Sequence, residues 1–280
     1  MRLNADIVQT KSFIEKGGIM LAVLSGHNSF IGSYLVRALS DKGFQTAQVT
    51  RELLYSPDDL RLFFEEREPD YIFHLAAYGN HSAQKDEAMT VLSNIIGTFN
   101  ILYASRDINY KKFVNFSTSS VKLPVETFYS ASKAGAERIA NAFKQQGKPV
   151  LTIRPYSVYG GGEALFRFIP TICNKLLTGE EILLDPNPVH DWIYVENFVD
   201  RVMDYLDQDG IVEIGTGVQT TNKQIVEMLE KISGIKAKIT IVENQRSYDT
   251  NEWKADNKTN SNLEKGLKKT WEYYKKLYDK

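Results

Sequence analysis

The chain has little of what would mark an exported, metal-bound or polyanion-binding protein. Its single cysteine, Cys173, excludes an internal disulfide, and its four histidines lack the paired spacing of a zinc site. No apolar run approaches the roughly 20 residues that a membrane span needs. Acidic Asp6 and Glu15 stand where a signal peptide would be basic and then apolar. Basic charge is not in excess either: 34 Lys and Arg against 35 Asp and Glu give a formal net charge of −1. General binding to nucleic acid or a membrane surface needs a surplus of cations to neutralise phosphates. Any anionic ligand must therefore be held by a local site. The expectation is a cytoplasmic protein with no metal, nucleic-acid or membrane partner.

What is present suits a large core, with 42% hydrophobic and 25% charged residues in 280. From Ile19 onward, short apolar runs such as "IMLAVLS", "FQTAQVT", "DYIFHLAA", "KKFVNFS" and "KPVLTIRP" alternate with amphipathic stretches at 30–42, 58–66, within 86–107 and at 129–144. Strands alternating with helices call for a parallel sheet covered on both faces, so the fold class is α/β, a doubly wound (Rossmann) sheet. About 20 residues separate the second strand from "YIFHLAA", too few for another helix and strand, and the sheet is expected to be trimmed at that edge. After Pro155 the texture changes to glycines at 160–162, a helix at 168–177, "VHDWIYVENFV", "GIVEIGTG" and a helix at 221–232. This points to a small C-terminal cap. The expected division is an extension at 1–18 forming a short docked helix, a dinucleotide-binding domain at 19–154 plus 191–216, and a substrate-binding cap at 155–190 plus 217–280.

The stretch "LSGHNSFIG" follows the first strand and opens the first helix. A glycine-rich loop there turns tightly, admits pyrophosphate to the backbone and aims helix N-terminal amides at the anion. Gly26 suits the turn and Gly32 the close helix–strand approach. Ser29 replaces the middle glycine, where it can cap the helix or bond a phosphate oxygen. Phe30 and Ile31 complete the cofactor-binding set. The same loop also reads as a plain strand-to-helix turn. At the end of the second strand an acidic residue would bond a ribose, whereas Arg51 in "VTR" suits a 2′-phosphate. NADP(H) is favoured, and NAD(H) stays open.

"FYSASK" places Tyr129 and Lys133 four apart, on one helix face. A cation beside a phenol favours phenolate, letting Tyr129 exchange a proton with a substrate while hydride moves to or from nicotinamide. It is the only Tyr-x-x-x-Lys spacing in the chain.

At this point the residues resemble the extended short-chain dehydrogenase/reductases, in the nucleotide-sugar epimerase/dehydratase/reductase branch. The resemblance runs in order through "SGHNSFIG", "FHLAA", "NIIGTFNIL", "FVNFSTSS", "YSASK", "IRPYSVYGGG", "HDWIYVENFV" and "EIGTG". It implies Tyr129 as general acid/base, Lys133 on the nicotinamide ribose, and Thr118 on the reacting sugar oxygen, with Ser119 its neighbour and alternative. It also implies that Leu75, Ala76 and Ala77 line the cofactor, that Asn94 lies on the helix behind it, and that Pro155 to Val158 pass the nicotinamide amide. A homodimer pairing the helices at 86–107 and 129–144 is implied as well.

Departures from the family pattern narrow the reaction. Where dehydratases carry "STDE" this chain has "STSS", which leaves no acid and base pair for eliminating water. The loop between Thr118 and Tyr129 is short. His190 stands where an arginine would grip the diphosphate, leaving Arg167 as a candidate partner; His190 also reads as an ordinary surface residue. Asn80 and His81, beyond a strand's carboxyl end, are candidate substrate contacts. His74, Trp192, Phe198, Trp271, Tyr273 and Tyr274 read as packing residues. Arg51 and the trimmed sheet edge resemble the reductase side of the family, which implies reduction of a nucleotide-linked 4-keto-6-deoxysugar. An NAD-dependent 4-epimerase and a non-catalytic NADP or nucleotide-sugar binder are the alternatives.

Overall fold

The computed structural model describes residues 18–81, 83–124, 126–243 and 252–279. The expected N-terminal helix with Ile7, Val8, Phe13 and Ile14 lies outside the described residues. The chain divides into two compact units, one ending at Arg154 and resumed at Val202–Val212, the other holding Pro155–Arg201 and the chain from Glu213 on.

The first unit alternates as the apolar pattern requires: β1 (Leu21–Ser25), α1 (Phe30–Asp41), β2 (Gln45–Val49), α2 (Arg51–Leu54), α3 (Pro57–Arg67), β3 (Tyr71–His74), α4 (Glu87–Val91), α5 (Gly97–Ala104), β4 (Lys112–Phe116), α6 (Phe128–Gln145) and β5 (Val150–Pro155). A π-helical turn, Leu92–Ile96, joins α4 to α5, and a 3₁₀ turn, Ser119–Lys122, follows β4. Further on come β6 (Ser157–Tyr159), α7 (Phe168–Thr178), β7 (Glu181–Leu184), β8 (Val189–Tyr194), α8 (Val195–Asp204) and β9 (Gly210–Ile214).

The sheet runs β2-β1-β3-β4-β5-β9, with the first five strands parallel. β2 ends it without a further strand, as the short spacing before β3 predicts. Val23, Ala47, Ile72, Phe113 and Val150 from five strands share one core with Leu60 and Phe64 of α3, Ile101 and Leu102 of α5, and Ala140 of α6. Burying each of the Val, Leu, Ile and Phe side chains among them contributes about 1.5–3 kcal/mol.

In the second unit β8 lies between β6, to which it is parallel, and antiparallel β10 (Gln219–Thr221). α9 (Asn222–Ser233), β11 (Lys238–Ile241), which pairs with β7, and α10 (Leu263–Tyr278) complete it. Because β8 pairs inside this unit, residues 191–201 fall here, whereas sequence spacing assigned 191–216 to the dinucleotide domain. In the C-terminal helix, Leu267, Thr270, Trp271 and Tyr274 recur at helical spacing and form the buried face of α10. Trp192, Phe198, Trp271 and Tyr274 are buried as expected, while Tyr273 is 45% exposed. No helix among the described residues is long and apolar enough to cross a membrane.

Candidate active site

Strand register decides where the motifs emerge. Ser25 pairs with Val49 on one side and His74 on the other, and His74 pairs with Asn115. β1 to β4 therefore end level, and the segments 26–32, 50–51, 75–77 and 117–119 leave one carboxyl edge. Open α/β sheets take ligands at that edge.

The first loop is built around two glycines. Gly26 has φ +75°, and a Cβ there would lie 2.9 Å from the Ala76 N and 3.2 Å from the Leu75 Cβ. A Cβ on Gly32 would overlap the Gly26 carbonyl oxygen and lie 2.8 Å from that of His27. Ser29, by contrast, has φ −73°, which any residue adopts, so its position does not need a glycine. Its N–H donates to Gly26 O (3.0 Å) and its Oγ accepts from Gly32 N (3.1 Å), closing the turn as the α1 N-cap. Phe30 and Ile31 open the helix, both half-buried, and no acidic residue in that first turn offsets its positive end. The backbone would thus accept pyrophosphate without a third glycine.

After β2, Thr50 caps α2, a helix the sequence pattern does not anticipate, and Arg51 is its exposed first residue. The neighbouring Glu52 carboxylate bonds its own N–H and Thr50, which holds its pKa below the usual range.

After β3 the half-buried Leu75 and Ala76 and the exposed Ala77 lead to Tyr78, whose N–H and C=O are both held by the fully buried Asn94 side chain at 2.8 Å. Asn94 also donates to Ser132 Oγ (2.8 Å). Expected behind the cofactor as a binding residue, Asn94 has its amide engaged in bracing this loop to α6. In the same loop Asn80 is exposed, and His81 Nδ1 accepts from Ala83 N at 2.9 Å.

After β4, Thr118 caps the 3₁₀ turn, its Oγ1 accepting from Ser120 N (3.2 Å) and donating to Ser120 Oγ (3.1 Å); Ser119 is buried. A capping box between Thr127 and Ser130 fixes the start of α6 and with it half-buried Tyr129 in the first turn. Lys133 is 1% exposed, and burial brings its ammonium down to about 8 against the opposing pull of Glu137. Glu137 is itself clamped by Arg154 through two bonds of 2.8 and 2.7 Å.

The remaining expected residues belong to the second unit. Pro155 ends β5 and Val158 lies in β6. Arg167 precedes α7 with its guanidinium over the Phe166 ring, 5.7 Å from the centroid. His190 is half-buried, its ring 5.0 Å from that of Trp192 and 6.1 Å from that of Trp253, with Nδ1 3.4 Å from Ser157 Oγ. It is a packed residue and not an ordinary surface one.

Residues 22–215 match the model of the NAD-dependent epimerase/dehydratase family. The chain belongs to this family. Its members are NAD(P)-dependent enzymes of the extended short-chain dehydrogenase/reductase type. The chain is 30% identical over 201 residues to a UDP-glucuronate 4-epimerase of Thermodesulfobacterium geofontis, covering 64% of this chain and 62% of that one. It is 28% identical over 238 residues to a GDP-6-deoxy-D-talose 4-dehydrogenase of Aggregatibacter actinomycetemcomitans, covering 76% and 80%. Its fold matches that of a UDP-glucose 4-epimerase solved with UDP-glucose, from Thermotoga maritima, with a TM-score of 0.84 at 24% identity over 92% of this chain and 100% of that one.

Two residues of this epimerase/dehydratase chain escape sequence reasoning. Asp191, beside His190, is fully buried and accepts from Thr216 N (2.7 Å), Thr216 Oγ1 (2.6 Å), Gly217 N (2.9 Å) and Ala255 N (3.0 Å). Gly215 packs so closely that a Cβ there would reach Asp191 Oδ2 at 2.5 Å. The "HDW" motif contained this signal, but partners 25 or more residues away were not readable from it. The second is Glu163, whose Oε2 is buried without a hydrogen bond among the described residues. Burial pushes its carboxyl up to about 8, against the lowering charge of Arg167.

Proposed function

We propose that this chain is an NADP(H)-dependent nucleotide-sugar oxidoreductase that reduces a nucleotide-linked 4-keto-6-deoxysugar. The observation that carries the reading is the pairing of Tyr129, in a capped first turn, with Lys133, an almost fully buried cation one turn on. Buried ammonium groups are costly, and hydroxyls of a bound ribose are the kind of partner that would offset the cost. Gly26, Gly32 and the amides of Phe30 and Ile31 would hold the pyrophosphate, with Ser29 capping beside it; Leu75, Ala76 and Ala77 would line the adenosine side, and Pro155 and Val158 would lie by the nicotinamide amide.

The dinucleotide, when bound, supplies the hydride. Tyr129 then gives its phenolic proton to the incipient alkoxide, Lys133 orients the tyrosine, and Thr118, with Ser119 beside it, bonds the reacting oxygen. Asn80, His81, Arg167 and His190 are the candidate contacts for the nucleotide-diphosphate sugar.

Exposed Arg51, next to a Glu52 whose carboxylate is already engaged, favours a 2′-phosphate. The relative named as a 4-dehydrogenase of a 6-deoxysugar supports the oxidoreductase reading, while the one named as a 4-epimerase keeps NAD-dependent epimerisation as the second. Val91, Leu92, Ile96, Phe99 and Tyr103 are exposed apolar residues running from α4 through the π-helical turn into α5, with Phe128 exposed on α6, which favours a homodimer through these helices. A single cysteine, Cys173, which can form no internal disulfide, suits a reducing cytoplasm.

The test is fluorescence titration with NADPH and NADH, then a panel of nucleotide 4-ketosugars with wild type and Tyr129→Phe. Tighter NADPH binding, and turnover that the variant loses while keeping cofactor affinity, is the expected result. Interconversion of 4-epimers with retained NAD would replace reduction by epimerisation. Equal ligand responses in both proteins with no turnover would leave a binding protein.

A further inference from the structure

A directed chain of buried hydrogen bonds crosses the first unit. Ala76 N–H donates to Ser25 Oγ (3.2 Å), which lies 2.7 Å from His74 Nδ1; His74 Nε2 lies 3.0 Å from Thr98 Oγ1, which donates to Asn94 O (2.7 Å). Thr98 has one hydroxyl proton, given to Asn94 O, so it must accept from His74 Nε2–H. Nδ1 is then the acceptor, and Ser25 supplies that proton. The tautomer is set from both sides. His74 is fully buried, and burial followed by the nearby charge of Lys133 brings its pKa to about 3, so the ring stays neutral.

Beyond Asn94 the chain forks. Its side chain holds both polar groups of the Tyr78 backbone and donates to Ser132 Oγ, which donates to Tyr129 O at 2.9 Å. Asn94 sits in the π-helical turn, an element frequent at functional sites. One imidazole therefore links the loop against which Gly26 packs with the backbone of the helix that carries Tyr129 and Lys133.

We propose that His74 is a positioning residue of the reaction: its Nδ1 sets the 75–77 loop against the first glycine, and its Nε2 sets the start of α6 through Thr98 and Asn94. This rests on the functional reading above for the roles of the two ends. It gives His74 two separable tasks, which a merely space-filling core residue would not have.

The test uses the full chain as wild type, His74→Phe, His74→Asn and His74→Gln. Asparagine can offer an acceptor near the Nδ1 position, and glutamine a donor near the Nε2 position. Dissociation constants for NADPH and NADH are measured by fluorescence, and amide hydrogen exchange is followed separately at 75–81 and 128–133. His74→Phe should weaken cofactor binding about tenfold, the scale of one buried hydrogen bond, and speed exchange in both segments. His74→Asn should restore affinity and the protection of 75–81 but not of 128–133. His74→Gln should restore only 128–133. Ser25→Ala and Thr98→Val cut the same links from the other ends and replace His74→Phe if that variant does not fold. Wild-type behaviour of His74→Phe, or an identical response of the asparagine and glutamine variants, overturns the proposal. If the wild type binds neither dinucleotide, the functional reading fails instead, and exchange alone decides the role of His74.

Discussion

Replacing Lys133 by methionine should stabilise the ligand-free protein. The stem keeps its packing, and the charge that burial disfavours is removed. With an ordinary value of 10.5 and about 8 in the fold, the difference corresponds to about 3 kcal/mol. At roughly 2–4 °C per kcal/mol for a chain of this size, Tm should rise by about 6–12 °C at pH 7. The sign of the pH dependence follows from the same shift. Between about 8 and 10.5 the unfolded chain binds more protons than the folded one, so wild-type stability climbs with pH across that window and is flat below it. The advantage of Lys133→Met should therefore be full below pH 8 and vanish near 10.5. Thermal melts of both proteins from pH 6 to about 10.5 check this, and turnover should be lost throughout. A variant that melts at or below wild type at pH 7, or a gap that does not close on the alkaline side, would refute the reasoning.

Gly32→Ala drives a methyl group into the Gly26 carbonyl oxygen, and should cost about 1–3 kcal/mol in urea unfolding while weakening dinucleotide binding. Glu163→Gln keeps the neutral form of a carboxyl raised to about 8. Wild-type stability is full below its ordinary value of 4.5 and is lost as pH rises to about 8, so the variant should match wild type in acid and gain a few kcal/mol above pH 8, read as a widening Tm gap. Arg51→Ala should weaken NADPH about tenfold or more in a fluorescence titration and leave NADH within about twofold; equal losses would argue against a 2′-phosphate contact.

Alternation of apolar runs with amphipathic segments was enough to determine the parallel sheet, its trimmed edge and most helix positions, because strand and helix periods are local properties of the chain. Tyr129 and Lys133 were legible for the same reason: a spacing of four on a helix is a local fact. The capping role of Ser29 was legible too, as one of two options, while only the observed φ of −73° and its bond to Gly32 show that this backbone position does not need a glycine. Asn94, His74 and Asp191 acquire their partners from segments 16 to 64 residues away. Burial of Lys133 and Glu163 likewise depends on which elements close over them. Hydrophobic periodicity is written along the backbone, whereas hydrogen-bond direction and desolvation exist only after distant strands and helices have packed.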